Sequence, residues 1–186
     1  MSEVVLVRHG ETEWSKAGRH TGRTDVPLTE EGRRQAEHLK GQLAGRSFSL
    51  VLTSPLSRAR ETCQLAGLGE RAESCSDLLE WDYGKYEGVT TGEIRRARPG
   101  WTVFAGGAPG GETAAQVGQR VDRVIARVRT SPGDVALFAH AHVLRVLAAR
   151  WLGLEPEGGR FFALATASVS VLGLEREDSV ILHWNL

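Results

Sequence analysis

The sequence predicts an α/β protein: a three-layer α/β/α sandwich around a mostly parallel sheet, built as one domain over residues 1–186. Three short apolar runs, residues 4–7, 50–53 and 135–138, are rich in Val and Leu and too short for helices. They read as strands buried on both faces. Stretches with helical spacing alternate with them, the pattern of parallel strands joined by crossover helices. Each run also leads into cationic or imidazole residues. In open α/β sheets, ligands bind at the carboxyl edge of the strands.

After the first strand, residues 11–28 are polar, hold Gly18, Gly22 and Pro27, and read as a long functional loop. Thr29 is placed as a helix N-cap, with Glu30 and Glu31 in the first turn and Ala36, Leu39 and Leu43 on one face; Gly45 ends the element. The strand at 48–53 stops at Ser54-Pro55, and Pro55 is expected to start a helix carrying Arg58, Ala59, Thr62 and Leu65. A third short strand is expected near 71–75, a short helix over 90–98, and a loop over the glycine-rich residues 105–111. No Gly-Lys-Ser/Thr follows that loop, so it is not a P-loop. Residues 112–129 form an amphipathic helix, with Val117, Val121, Val124, Ile125 and Val128 on one stripe. The helix expected at 143–152 is apolar almost all round and therefore buried. Two strands, 167–174 and 180–184, close the chain as a hairpin around Glu177-Asp178 at or near a sheet edge.

Composition removes several classes of function. The formal net charge is zero, so no basic excess points to nucleic acid or an anionic membrane. No apolar run approaches the roughly 20 residues of a membrane span. The first apolar run ends in Arg8-His9 instead of continuing as a signal peptide, and a cytoplasmic protein is expected. Cys63 and Cys75 have no companions at metal-binding spacing and read as two reduced structural thiols. Of the 23 basic residues only Lys16, Lys40 and Lys85 are lysine, which leaves many planar guanidinium forks for phosphate or carboxylate.

The three strand ends share one chemistry. The first bears Arg8 and His9, the second Arg58, the third His140. If these strands lie parallel and adjacent, two arginines and two histidines converge on a point, which suits a tetrahedral dianion. A metal is the competing reading for paired histidines. There is, however, no His-x-x-x-His and no carboxylate cluster, and metal sites are seldom ringed by uncompensated arginines. His140 and His142 lie two apart and should point in different directions.

In chain order, RHGETEW (8–14), TGRTDVPLTEEG (21–32), TSPLSRARET (53–62), LLEWDYGKYEG (78–88), GGET (110–113) and FAHAHVLR (138–145) resemble the motifs of the histidine phosphatase, or phosphoglycerate mutase-like, superfamily. They span nearly the whole chain. TEWSKAGRHTGRTD and EWDYGKYEG look most like the branch holding a fungal sedoheptulose bisphosphatase and some bacterial acid phosphatases. The resemblance implies a phosphoglycerate mutase-like fold. It implies His9 as a nucleophile that forms a phosphohistidine, with Arg8, Arg58 and His140 holding the phosphoryl oxygens. Glu80 would be the general acid and then the base. Ser15 and the Thr21-Gly22 backbone would touch the phosphate or its ester, and Ala141 would offer a backbone donor. Burial among Leu79, Trp81 and Tyr83 would favour the acid form of Glu80, and nearby arginines the carboxylate.

Two departures separate the chain from the true mutases. Only residues 81–111 lie between Glu80 and the Gly-Glu-Thr element, where mutases carry a longer insert with glycerate-gripping cations. Arg95, Arg96 and Arg98 here look like a solvated helix face. His142 stands where many relatives have glycine, either touching substrate or filling the pocket rim. The expected activity is hydrolysis of a small phosphate monoester, a sugar phosphate or bisphosphate, with inorganic phosphate as product and neither metal nor cofactor. A mutase-type phosphotransferase and a non-catalytic phospho-ligand binding module are the alternatives.

Overall fold

A computed structural model describes residues 2–186. Six strands form one sheet in the order β3-β2-β4-β1-β5-β6: β1 Val4–Arg8, β2 Phe48–Thr53, β3 Ala72–Ser74, β4 Asp134–Ala139, β5 Val169–Glu175 and β6 Asp178–His183. The first four are parallel; β5 runs antiparallel to β1, and β6 antiparallel to β5. The sheet is thus mostly parallel with the C-terminal hairpin at one edge, as the sequence predicts.

The period-two alternation of β1 divides the core. Val5 and Val7 face one side, where they join Leu39 and Leu43 at α2 (Glu30–Gln42) and Cys63 and Ala66 at α3 (Ser57–Leu65). Val4 and Leu6 face the other side, under α6 (Ala114–Arg129) and α7 (Ala141–Trp151). Each face supplies one stripe of buried aliphatic residues to its pair of helices, which is the three-layer arrangement. Short helices α1 (Glu13–Lys16), α4 (Thr91–Ala97) and α5 (Val103–Gly106) lie in the connections. Both cysteines are free, and burial pushes the Cys63 thiol up to about 12. No helix among the described residues is long and apolar enough to cross a membrane.

Several boundaries differ from the sequence reading, each for a local reason. The helix after β2 begins at Ser57 instead of Pro55, because Asp25 from a distant loop caps it, accepting from the Ser57 N–H (2.9 Å) and hydroxyl (2.8 Å). Thr12 and Ser15 form a reciprocal capping box, so α1 arises inside the expected loop at 11–28. Thr102 likewise starts α5, which reaches into the glycine-rich stretch. α6 starts at Ala114, not Glu112, since Thr113 caps it; Glu112 is left free to bind elsewhere. α7 begins two residues earlier than expected, with His140 at its N-cap. The hairpin turns at Arg176-Glu177, where Arg176 takes φ 56°.

The buried Arg120 and the partly buried Glu112 form a brace beneath the segment carrying Glu80. Arg120 pairs with Glu112 at 2.9 Å and donates to the carbonyls of Asp77 (2.8 Å) and Leu79 (2.6 Å). Glu112 also accepts from the Asp82 N–H at 2.8 Å. Replacing Arg120 by Ala takes the donors of one buried guanidinium from the partly buried Glu112 and from two carbonyls, so we expect a loss of about 1–3 kcal/mol of stability. Urea denaturation measures it; a loss under about 1 kcal/mol would show the brace to be dispensable.

Candidate active site

The sheet register places the chemistry. Arg8 lies level with Ala139, and Thr53 with Phe138, so the parallel strands β2, β4 and β1 end together. The pairing continues one step further, with His9 N–H donating to Ala139 O (3.0 Å) and Ser54 N–H to Phe138 O (2.9 Å). His9, Ser54 and His140 therefore meet just beyond the carboxyl edge, and the His9 and His140 rings stand 5.1 Å apart, edge to face.

His9 is buried and its Nδ1 lies 2.7 Å from Gly10 O. A carbonyl only accepts, so Nδ1 carries the proton and Nε2 keeps its lone pair for the cavity. Gly10 is required at that turn, because a Cβ there would lie 2.2 Å from Gly32 O. Burial, then the charges of Arg58 and Arg8, hold the His9 pKa well below that of a free imidazole. His140 is held neutral for the same reasons, burial first and Arg58 next. Its Nδ1 accepts from Arg58 Nε (3.1 Å), which leaves Nε2–H for Ser54 Oγ at 2.7 Å.

Arg58 has no solvent exposure. Its Nη atoms donate to the carbonyls of Thr24 (3.0 Å), Thr21 (3.1 Å) and Gly22 (2.9 Å). The Arg8 guanidinium donates from Nη1 to Leu164 O, while its buried Nε has no partner. Burial lowers the pKa of both arginines.

Glu80 is buried at the N-terminus of α7. One oxygen accepts from the backbone of Trp81 and Val143, both at 2.9 Å; the other accepts from His142 N–H at 3.0 Å. The first turn of a helix has N–H groups without intrahelical partners, and Glu80 takes two of them. The N–H of Ala141, first residue of α7, is a third such donor. The His142 ring packs against Tyr83, with Nδ1 2.6 Å from the phenol oxygen. Burial keeps His142 neutral and, with the charge of Glu80 next, raises the Tyr83 pKa well above its ordinary value.

A cavity of about 230 Å³ opens over these groups. Of the sequence-predicted residues, Arg8, His9, Ser15, Thr21, Glu80, Ala141 and His142 line it. Arg58 and His140 do not; they lie behind His9, with the Arg58 forks occupied by carbonyls. Gly22 is also turned away, its N–H donating to Glu87 Oε2 at 3.2 Å, and a Cβ at Gly22 would lie 2.5 Å from Trp81 O. The Gly22 N–H is thus engaged by a carboxylate, while Thr21 stands on the cavity wall. His20, Tyr83, Thr91 and Arg145 also line the cavity. For Tyr83 a signal existed, its place in the aromatic stretch beside Glu80; for Arg145, its place five residues after His140. Among the described residues, no three His, Cys, Asp or Glu side chains are grouped to hold a metal.

The buried neutral histidines make stability depend on pH. The unfolded chain takes up protons near the free-histidine value of 6.5, whereas native His9, His140 and His142 resist them. Their contribution is complete above that value and is lost as pH falls through it toward the lower native values. The urea midpoint should therefore drop between about pH 7.5 and pH 5.5; a midpoint that rises on acidification would refute the assignment.

Residues 4–186 match the family model "Histidine phosphatase superfamily (branch 1)". The chain is 45% identical over 177 residues to an acid phosphatase of Mycobacterium tuberculosis, covering 92% of this chain and 86% of that protein. It is 38% identical over 183 residues to the sedoheptulose 1,7-bisphosphatase of Saccharomyces cerevisiae, covering 81% of this chain and 67% of that one. The solved structure of a mycobacterial glucosyl-3-phosphoglycerate phosphatase superposes with a TM-score of 0.87 at 29% identity, over 100% of this chain and 99% of that one. With a match that runs from the first strand to the last residue, the chain belongs to branch 1 of the histidine phosphatase superfamily.

Proposed function

We propose that the protein hydrolyses a small phosphate monoester, a sugar phosphate or bisphosphate, through a phosphohistidine on His9. The observation that carries this reading is that Arg8, Glu80 and His9, whose Nε2 is left free by the Gly10 carbonyl, line one cavity. A guanidinium on the wall of that cavity would attract the oxygens of an anion that enters it. A nucleophile and an oxyanion donor thus face the same space as Glu80. The names of the yeast and mycobacterial relatives support a phosphorylated sugar as the substrate class.

In the proposed sequence, Nε2 of His9 attacks phosphorus as the bond to the ester oxygen breaks. Glu80 gives its proton to that leaving oxygen. Arg8 and the Ala141 N–H hold the equatorial oxygens, where charge accumulates in a loose transition state. Arg58 and His140 back His9 from behind, Arg58 as a fixed positive charge and His140 as the neutral link between Arg58 and Ser54. In the second half, the Glu80 carboxylate takes a proton from water, the water oxygen attacks phosphorus, and the P–N bond breaks. Inorganic phosphate leaves and both groups are restored. Neutrality of His9 into the acid range keeps the nucleophile competent there.

Rapid quench into base with a labelled monoester should leave acid-labile phosphate on His9, and His9→Ala should abolish turnover. Turnover at the wild-type rate in that variant would overturn the mechanism. Glu80→Gln should lower kcat by roughly 10²–10⁴ for an alkyl phosphate, and much less for p-nitrophenyl phosphate, whose leaving group needs no proton. Equal losses on both substrates would remove Glu80 from the acid role. Activity should survive an excess of chelator.

A further inference from the structure

The tautomer of His9 depends on where the Gly10 carbonyl points, and no ladder or helix sets that direction. β1 ends at Arg8 and α1 begins at Glu13, so the peptides between them are held by individual contacts. A planar trans peptide turns its N–H and its C=O in opposite directions. In the His9–Gly10 peptide, the carbonyl accepts from Ala167 N–H at 3.0 Å and the N–H donates to Thr62 Oγ1 at 3.1 Å. In the Glu11–Thr12 peptide, the carbonyl accepts from Thr29 N–H and the N–H donates to Ser15 Oγ, both at 2.9 Å. The Gly10–Glu11 peptide between these two differs. Its carbonyl meets the His9 ring at 2.7 Å, and its N–H donates to Gln35 Oε1 at 3.0 Å. Unlike its neighbours, it has no backbone partner among the described residues.

α2 delivers Gln35 to this place. Thr29, Gly32 and Gln35 follow at intervals of three, on the side of the helix that meets residues 10 and 11. The approach is close, since a Cβ on Gly32 would lie 2.1 Å from Glu11 O. An N–H needs an acceptor, so the Gln35 amide presents its oxygen to Glu11. Gln35 is partly buried and does not line the cavity.

We propose that Gln35 is a positioning residue for His9. By accepting from Glu11 N–H it turns Gly10 O toward the imidazole, which keeps the proton on Nδ1 and the lone pair on Nε2. Without that acceptor, the Glu11 N–H turns toward another partner and Gly10 O turns away with it. The ring is then free to carry its proton on Nε2, where it cannot attack phosphorus. This inference rests on the phosphohistidine reading of the site. It extends the machinery to a helix that supplies no residue to the cavity.

The test is Gln35→Leu, which removes the acceptor, beside Gln35→Glu, which keeps an oxygen at the same reach. Gln35 lies outside the buried core, so both variants should fold. Isotopically labelled histidine, read by nitrogen NMR at about pH 7.5, reports the tautomer of each ring, and His9→Ala identifies the His9 signals. Wild type should show His9 with its proton on Nδ1. Gln35→Leu should show a mixture in which Nε2–H gains, and Gln35→Glu the wild-type pattern. In single turnover with labelled p-nitrophenyl phosphate, Gln35→Leu should phosphorylate His9 roughly tenfold more slowly, with half-saturation within about twofold of wild type. Gln35→Glu should recover most of the rate. A contact of merely structural value would lower the urea midpoint and leave the tautomer untouched. An unmoved tautomer or an unchanged rate in Gln35→Leu, or no recovery in Gln35→Glu, would overturn the proposal. If wild-type His9 takes phosphate while Gln35→Leu leaves the tautomer unmoved, only the role of Gln35 fails. If wild-type His9 takes no phosphate, the phosphohistidine reading fails, and the tautomer signals still decide whether Gln35 orients the ring.

Discussion

The burial of the Arg58 cation organises much of the molecule. A guanidinium removed from water must have its donors satisfied, or the cost runs to several kcal/mol. No carboxylate sits against Arg58 at hydrogen-bond distance; Asp25 is 3.8 Å away. Carbonyls of residues 21–24 and the ring of His140 do the work instead. That loop must therefore keep its carbonyls turned inward. Glu87 ensures it by accepting from the N–H groups of Gly22, Arg23 and Thr24 on the loop's other side. Asp25, at the end of the same loop, caps the helix that carries Arg58. Arginine, loop, helix and acid thus hold one another in a closed set of contacts.

The consequence for chemistry is electrostatic. Neutral carbonyl partners leave the positive charge uncancelled, so it acts on the imidazoles beside it. His9 and His140 remain unprotonated, and the Gly10 carbonyl selects the His9 tautomer with a free Nε2. An unprotonated imidazole surrounded by cations suits the proposed phosphoryl transfer: it can react with phosphorus, and the cations attract its oxygens. Glu80, the proposed acid, is held by other elements. Glu112 and Arg120 brace the Glu80 segment from below, and the first turn of α7 receives its carboxylate from above.

The rigid sheet edge and the surrounding connections divide the labour. Strands β1, β2 and β4 set the spacing of His9, Ser54 and His140 through their shared register, which a surface substitution can hardly change. The walls of an adjoining cavity come from α4, α5 and the turn at Pro156–Phe161. A family can keep one reaction and alter its substrate by changing such walls alone.

The sequence by itself determined the alternation of strands and helices, the carboxyl-edge location of Arg8, His9, Arg58 and His140, and, through ordered motifs, the family. Those features are legible because periodicity and punctuation report local burial, and because Val4–Val7 can be satisfied only inside a sheet. It also separated the amphipathic helix at α6 from the buried one at α7. From the residues alone Glu80 reads as a surface carboxylate, and only the resemblance distinguished it. Tertiary structure decided the partners. Arg58 faces carbonyls of a loop some 35 residues earlier, Glu112 left its expected helix to brace Glu80, and Arg145 and Arg160 were drawn together by the close approach at Gly159. Such pairings depend on which surfaces pack across the sheet, and no local pattern in the chain encodes that.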